Sequence, residues 1–354
     1  MAELLQGALP LLLALGLLNA SNFLFHVALS RLLGPTSYGA LAAILAIALV
    51  VSVPFGVVQT VVAKRVSLLR VSGRESDIPE ATARAAKGTA IVGAGLAVLF
   101  LAVTPLIAGP LHVGEGSVGS LAPYVLFTLV LGVPLGAMQG RLRFAAMGAV
   151  VTTAVAVRLG LGVGLVAAGW GVPGAVVASS ASQGVSLVLA LGLLSVPRDV
   201  WRRARPSLTM LRGGFVSALL GIGAFWLLAE TDLVLARHFL DDTDAGIYAA
   251  AGLLSRALLF FPAAVCWVAL PRFSESRGRG DAAGRWLNGA IRITAALSVA
   301  ALLVMVVLRK EIVLIAFGSS YRSAAGLIPV LGLAMALLSI VNLLVYFHVA
   351  AESR

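Results

Sequence analysis

The chain has 354 residues, of which 60% are hydrophobic and 12% are charged, and its mean hydropathy is +1.02. Soluble globular domains carry about 25% charged residues, so this composition excludes a large soluble domain. A bilayer core needs roughly 20 apolar residues per helix, and the sequence supplies such stretches repeatedly. The composition therefore predicts an all-α polytopic membrane protein.

Ten transmembrane helices are predicted in chain order, with short basic loops between them. They lie near residues 8–30, 39–63, 88–109, 121–140, 144–168, 174–195, 213–234, 247–268, 288–308 and 324–350. Gly39 separates the first pair and the glycine-rich turn 169–174 separates the fifth from the sixth, so each of these pairs should run antiparallel. Residues 1–10 contain no Lys or Arg, unlike a cleaved signal peptide, so the first span should be retained.

The net charge of +11 is explained by topology better than by nucleic acid, because the basic residues lie between the spans. Of the 26 Lys and Arg residues, 18 fall in loops on one side, 5 on the other and 3 inside spans. Basic residues accumulate on the cytoplasmic side of membrane proteins. Both termini are therefore expected in the cytoplasm, and nucleic acid is not expected as a partner.

An internal repeat is indicated by markers that recur about 207 residues apart. Arg31 and Arg237 differ by 206 positions, Tyr38 and Tyr248 by 210, and residues 65–67 match 272–274 at 207. The repeat unit would contain six spans, and such parallel repeats are frequent in transporters.

The repeat predicts an N-terminal lobe of six helices over residues 1–196 and a basic cytoplasmic linker over 197–212. A C-terminal lobe of four helices would occupy 213–354, a 6 + 4 arrangement in which the second lobe is shortened.

Two arginines are predicted at mid-depth in the membrane, Arg158 in the fifth span and Arg256 in the eighth. A charge near the bilayer centre costs a few kcal/mol, so each marks a candidate functional site. If both face a central lumen, they would bind an anion such as a phosphate or diphosphate. The alternative is that each pairs with a helix carbonyl or with an acid such as Glu230 or Asp232 and stabilises packing.

A polar stripe is predicted on the first span, where Asn19, Asn22, His26 and Ser30 recur at steps of three and four. It would line a water-filled cavity and contact substrate, or it would form interhelical hydrogen bonds.

Glu230 and Asp232 near the end of the seventh span are candidates for proton or cation coupling, and the repeat-related Arg31 and Arg237 for gating. A surface ion pair is the alternative for these acids. The single cysteine, Cys266, and four scattered histidines give no metal-ligand spacing, so neither a metal nor another cofactor is predicted.

Motifs of soluble catalysis are missing from the sequence. It contains no phosphate-binding Gly-Lys-Ser/Thr loop, no zinc-protease helix motif and no Gly-x-Ser-x-Gly elbow. We therefore expect a membrane transporter and not an enzyme.

Five segments resemble landmarks of polysaccharide-transporter flippases, in order and at sensible spacing. They are Asn22–Gly39, Pro54–Arg65, Asp244–Tyr248, Phe261–Arg272 and Phe317–Tyr321. This family belongs to the multidrug, oligosaccharidyl-lipid and polysaccharide exporter (MOP) superfamily, and the likeness spans nearly the whole chain.

The resemblance implies a protein of the bacterial cytoplasmic membrane that flips an undecaprenyl-diphosphate-linked oligosaccharide by alternating access through a cationic lumen. Its partners would be that lipid-linked oligosaccharide, membrane lipids and a glycan polymerase or glycosyltransferases. Relatives usually carry twelve or fourteen spans. Two alternatives remain open: a cation-coupled multidrug exporter of the same superfamily, and a truncated, non-transporting partner of a glycan-assembly complex.

Overall fold

The computed structural model describes residues 2–211, 215–259 and 280–352, and every regular element in these ranges is helical. The helices are α1 Ala2–Val71, α2 Ile78–Ala108, α3 Glu115–Gly119, α4 Ala122–Gly140, α5 Phe144–Leu165, α6 Gly171–Leu194, α7 Arg198–Arg203, α8 Phe215–Phe239, α9 Asp242–Arg256, α10 Gly280–Val307, α11 Arg309–Ala316 and α12 Ile328–Glu352.

Seven helices of the described residues are long and apolar enough to cross a bilayer. They span Asn19–Val71, Glu75–Ala108, Glu115–Gly140, Phe144–Leu194, Leu219–Phe239, Leu287–Val307 and Ile328–Val345. The first and fourth contain 53 and 51 residues, or roughly 80 and 75 Å of helix, and therefore each suffices for two passages. The all-α polytopic membrane fold is thus confirmed.

Part of the predicted eighth span, 247–268, lies outside the described residues, as do Cys266 and the sequence landmark Phe261–Arg272. The described part of that span belongs to α9 and to the 3₁₀ turn Ala257–Leu259 that follows it.

The break in α1 lies at Gly34 and not at Gly39, where the sequence analysis placed it. Gly34 has φ 70° and ψ 172°, a backbone conformation that a residue with a Cβ rarely adopts, whereas Gly39 lies within a helix. Between α5 and α6 the turn lies in 169–174 as predicted, with positive φ at Gly169 and Gly171. Arg158 contacts Ser179 and Leu165 contacts the Gly174 position, so α5 and α6 run antiparallel.

The chain divides into two compact units. Unit 1 comprises Met1–Leu33 and Ala43–Leu219, and unit 2 comprises Gly34–Ala42 and Leu220–Arg354. Only the short segment of α1 from Gly34 to Ala42 thus belongs to unit 2, and the rest of α1 belongs to unit 1.

Unit 1 is held together by a glycine seam between α1 and α4. A Cβ on Gly136 would lie 2.5 Å from the carbonyl oxygen of Gln59, and one on Gly140 would lie 2.6 Å from that of Ala63. From Gly136 to Gly140 the contacted residue moves from Gln59 to Ala63, four residues forward in both helices, so the two helices are parallel here. Small residues allow this backbone approach, which stabilises helix pairs in lipid. The Gln59 and Gln139 amides add a hydrogen bond of 3.0 Å beside the seam.

Unit 2 is built around two seams. Leu258, in the 3₁₀ turn that follows α9, packs with Phe225 of α8 and Met335 of α12 in its hydrophobic core. The hydroxyls of Ser298 on α10 and Ser339 on α12 lie 3.1 Å apart and are fully buried. A hydrogen bond between helices satisfies these groups where water is excluded.

The segment Gly34–Ala42 packs within unit 2 against its own counterpart in the sequence repeat. The Thr36 and Thr243 hydroxyls lie 3.2 Å apart, and a Cβ on Gly39 would lie 2.7 Å from the amide nitrogen of Gly246. Each pair is 207 residues apart, which is the repeat offset. Tyr38 then contacts the Tyr321 ring at 6.1 Å between centroids, edge to face.

The glycine seam predicts a position-specific effect of one added methyl group. Replacing Gly136 with Ala should lower the free energy of unfolding by about 1–3 kcal/mol, because its Cβ overlaps the α1 backbone. Gly95→Ala in α2 is the matched control, since nothing lies within 4 Å of its Cβ position. Unfolding by sodium dodecyl sulfate, followed by circular dichroism, measures both. Equal stability of the two variants would contradict the seam.

Candidate anion-binding site

Arg158 is held in unit 1 by uncharged partners. Its Nη1 donates a hydrogen bond of 2.7 Å to the side-chain oxygen of Asn22, and its Nε donates one of 3.3 Å to the Ser179 hydroxyl. The guanidinium carbon lies 4.2 Å from the centre of the Phe25 ring, a cation–π contact. No carboxylate of the described residues forms an ion pair with this arginine. Among the described residues, no opposite charge therefore neutralises its guanidinium.

The backbone places these partners by close packing of α1 on α5. A Cβ on Gly162 would lie 2.6 Å from the Phe25 ring, so this glycine, one turn beyond Arg158, makes room for the aromatic side chain. Phe25 is buried as a result and lies beneath the guanidinium. Ser179 comes from the antiparallel α6. Three helices therefore fix one cation.

A pocket of about 80 Å³ opens beside Arg158. Its polar lining comes from Ser21 and Asn22 of α1, Arg158 of α5, and Ser182 and Gln183 of α6. Arginine only donates, so Asn22 must present its oxygen to Arg158, which leaves the amide NH₂ for another partner. Within the described part of the chain, neither that NH₂, the Arg158 Nη2 nor the Gln183 amide has a hydrogen-bond partner.

Such a pocket suits an oxyanion. Its unused groups are mainly N–H donors, one of them charged, and charge-assisted bonds to phosphate or carboxylate oxygens are among the stronger hydrogen bonds. No acid among its lining residues would repel the ligand.

The predicted polar stripe of α1 is divided by the structure. Asn22 lines the pocket, whereas Asn19 is exposed and Ser30 donates to the carbonyl of Val27 in its own helix. His26 is half-buried, with its ring edge-on to Phe25. Only one of the four therefore reaches the arginine.

Arg256, in unit 2, has a different environment. Its Nη2 forms an ion pair with Asp232 and donates 2.9 Å to the carbonyl of Ala229, while its Nε lies 3.3 Å from Glu230. Tyr248 donates its hydroxyl to the second oxygen of Asp232 at 3.1 Å. Glu230 is only 2% exposed. One cation therefore faces two carboxylates, the pairing that the sequence offered as the alternative to an anion site.

Gly252 explains how the guanidinium fits between α8 and α9. A Cβ at this position would lie 2.6 Å from the Nη1 atom of Arg256, so any larger residue would compete for that space. The glycine lies one turn before the arginine on the same helix. A small residue at this position thus leaves room for the guanidinium in its observed place.

The two repeat-related arginines also differ from each other. Arg237 is only 3% exposed and forms an ion pair of 2.8 Å with Asp242, which closes the turn between α8 and α9. Arg31 is exposed on α1, three residues before the Gly34 break.

Sequence reasoning missed the contribution of α6 to the pocket. The run from Ser179 to Gln183 contains four polar residues within an apolar span. That run was the available signal, because polar side chains inside a span usually face protein and not lipid.

Several solved structures have a fold similar to that of this chain. An inward-facing multidrug resistance MATE family transporter of that superfamily has a TM-score of 0.64 at 17% identity, over 91% of this chain and 80% of that one. The lipid II flippase MurJ in an inward closed conformation has a TM-score of 0.69 at 12% identity, over 97% of this chain and 76% of that one. A MOP superfamily transporter from Pyrococcus furiosus has a TM-score of 0.53 at 16% identity, over 97% of this chain and 85% of that one.

These likenesses establish the fold alone, which is the one found in those transporters of the MOP superfamily. Residues 28–326, most of the chain, match the family described as Polysaccharide biosynthesis protein. The chain belongs to that family. The resemblance seen in the sequence is thereby confirmed. No curated protein sequence matches the chain.

The contrast between the two arginines predicts different costs of removal. Arg256→Met leaves Glu230 and Asp232 without a cation and should cost about 3–5 kcal/mol of stability, the range for breaking a buried pair. Arg158→Met leaves no carboxylate unpaired. It should cost about 1–3 kcal/mol of stability, because the side-chain oxygen of Asn22 loses its hydrogen-bond donor. Thermal unfolding in one detergent compares them.

A compensating change checks the cause. Glu230→Gln added to Arg256→Met should recover part of the lost stability, because it removes one of the unpaired carboxylates. Equal melting temperatures for Arg158→Met and Arg256→Met, with no recovery, would contradict the assignment.

Proposed function

We propose that this protein flips a lipid-linked oligosaccharide, carried on an undecaprenyl diphosphate, across the bacterial cytoplasmic membrane. The observation that carries the proposal is the Arg158 pocket, where a cation with no carboxylate partner among the described residues lies beside unused hydrogen-bond donors. Membership of the polysaccharide biosynthesis family supports a glycan-related substrate.

The size of the pocket favours the phosphate part of such a substrate. A volume of about 80 Å³ accommodates a group of a few heavy atoms and not a sugar chain. The charge-assisted donors would hold a diphosphate oxygen while the glycan and the lipid tail lie outside the pocket. Arg158, Asn22 and Gln183 are the residues that would bind it.

The translocation cycle proposed here is alternating access, with both termini in the cytoplasm. The MATE transporter noted above is inward-facing, and MurJ is inward closed, so related folds adopt more than one conformation. Membrane lipids would surround the protein, and a glycan polymerase or glycosyltransferases would supply or consume the substrate. The resemblance to polysaccharide-transporter flippases is the reason for naming the bacterial cytoplasmic membrane.

The charge cluster of unit 2 supports a role in coupling. Glu230 and Asp232 present two carboxylates to the single Arg256, and burial of an excess negative charge is costly, which favours uptake of a proton or another cation. The proposal for anion binding therefore rests on Arg158 alone. The same cluster is also the observation that favours the second candidate, a cation-coupled multidrug exporter.

Surface polysaccharide in a strain that lacks the gene tests the proposal. Wild type should restore it, and Arg158→Ala should reduce it by about 10–100-fold, since a lost charged hydrogen bond costs about 1.5–3 kcal/mol. Arg158→Lys should retain part of the activity, because it keeps the charge but not the planar donor fork. Immunoblots of membranes must show equal amounts of protein.

Arg74→Ala is the matched control, because that exposed arginine pairs only with Asp77 in a loop. Unchanged polysaccharide in Arg158→Ala would contradict the anion-binding role. Normal polysaccharide with altered drug sensitivity in the deletion strain would favour the exporter. Failure of wild type to restore polysaccharide, with co-purification of glycan-assembly enzymes, would favour a non-transporting partner.

A further inference from the structure

The short helix α7 lies at the end of unit 1 where the α6 span ends, and its backbone is attached to α2. The Lys87 Nζ donates 2.6 Å to the carbonyl of Trp201 and 3.0 Å to that of Ala204, so a cation satisfies the C-terminal carbonyls of α7. A few residues on, the Ser207 amide donates 3.0 Å to the carbonyl of Arg84. The segment is therefore held on α2 at Trp201, Ala204 and Ser207.

The inner face of this segment is apolar. Ala204 is 5% exposed, and Trp201 packs partly buried against the hydrophobic core of unit 1. A Cβ on Gly88 would lie 2.7 Å from the Ser207 carbonyl oxygen, so the segment lies directly on the α2 backbone. This contact determines which face of α7 points outward.

The outer face is basic and lacks internal partners. Arg198, Arg202, Arg203 and Arg205 are exposed, and within the described residues none of their side chains forms a hydrogen bond or an ion pair. With Asp199 as the one acid, residues 198–205 carry four positive charges and one negative, a net +3. The exposed arginines outnumber the single acid of the segment, so a net positive charge remains for an external anion.

We propose that residues 198–205 form a binding surface for the headgroups of anionic phospholipids. The segment starts four residues after α6 ends and so lies at the level of the headgroups. It contains Trp201, and tryptophan is enriched at membrane interfaces. Arginine binds phosphate oxygens with its planar donor fork. A docked backbone holds the arginines together, so the surface is a site and not only a charged loop.

Native mass spectrometry of the purified full chain in detergent, with equal amounts of phosphatidylglycerol and phosphatidylcholine, tests this surface. Wild type should bind phosphatidylglycerol preferentially. A basic side chain near an anionic surface contributes about 1 kcal/mol, or roughly fivefold, so Arg202→Gln/Arg203→Gln should lower the preference by roughly 25-fold.

Two controls separate this site from general positive charge. Arg309→Gln/Lys310→Gln removes two charges from unit 2 and should leave the preference unchanged. Lys87→Met removes the side chain that holds the α7 carbonyls, keeps the four arginines of residues 198–205, and should lower the preference at least fivefold. Loss in Arg309→Gln/Lys310→Gln equal to that in Arg202→Gln/Arg203→Gln would overturn the proposal.

An unchanged preference in Arg202→Gln/Arg203→Gln or in Lys87→Met would overturn it as well. Arg202 and Arg203 are exposed, so their double variant should fold. Circular dichroism and size-exclusion elution verify folding of each variant, including Lys87→Met.

Discussion

The cost of placing an arginine in hydrocarbon is the constraint on which both units depend. A charged guanidinium in a span must find compensation inside the protein, because lipid offers none. Unit 1 compensates Arg158 with an amide, a hydroxyl and an aromatic face, all of which leave its charge in place. Unit 2 compensates Arg256 with two carboxylates, which neutralise its charge. The same residue type therefore lacks a carboxylate partner among the described residues in one unit, where we propose that it binds a ligand, and is paired internally in the other.

Close helix contacts make this compensation possible, and glycines provide them. Gly162 admits the Phe25 ring beneath Arg158, and Gly252 admits the guanidinium of Arg256. Gly136 brings α4 against the backbone of α1 in the same unit as the pocket. In lipid, packing of this kind replaces the hydrophobic driving force that holds soluble helices together. The glycine positions thus help to determine where the two arginines lie.

The fold class and part of the candidate site could be predicted from the sequence. Hydropathy and span length gave the helices, and depth within a span singled out Arg158 and Arg256 before any partner was known. The partner of Arg158 could not be assigned, because Asn22 lies 136 residues away and no local pattern pairs α1 with α5. The acids near Arg256 could be named, since they lie on the preceding helix. The break at Gly34 depends on a single backbone torsion that hydropathy does not reveal.

The Gly34–Ala42 segment imposes an order on assembly. It is synthesised early, yet its contacts lie at Thr243, Gly246, Phe317 and Tyr321, between 207 and 283 residues further along the chain. Tyr38 therefore stays without its aromatic neighbours until nearly the whole polypeptide has left the ribosome, and contacts of such long separation form late and slowly. A fragment starting at residue 220 would lack this piece of unit 2. The units are thus unsuited to expression as two separate contiguous fragments.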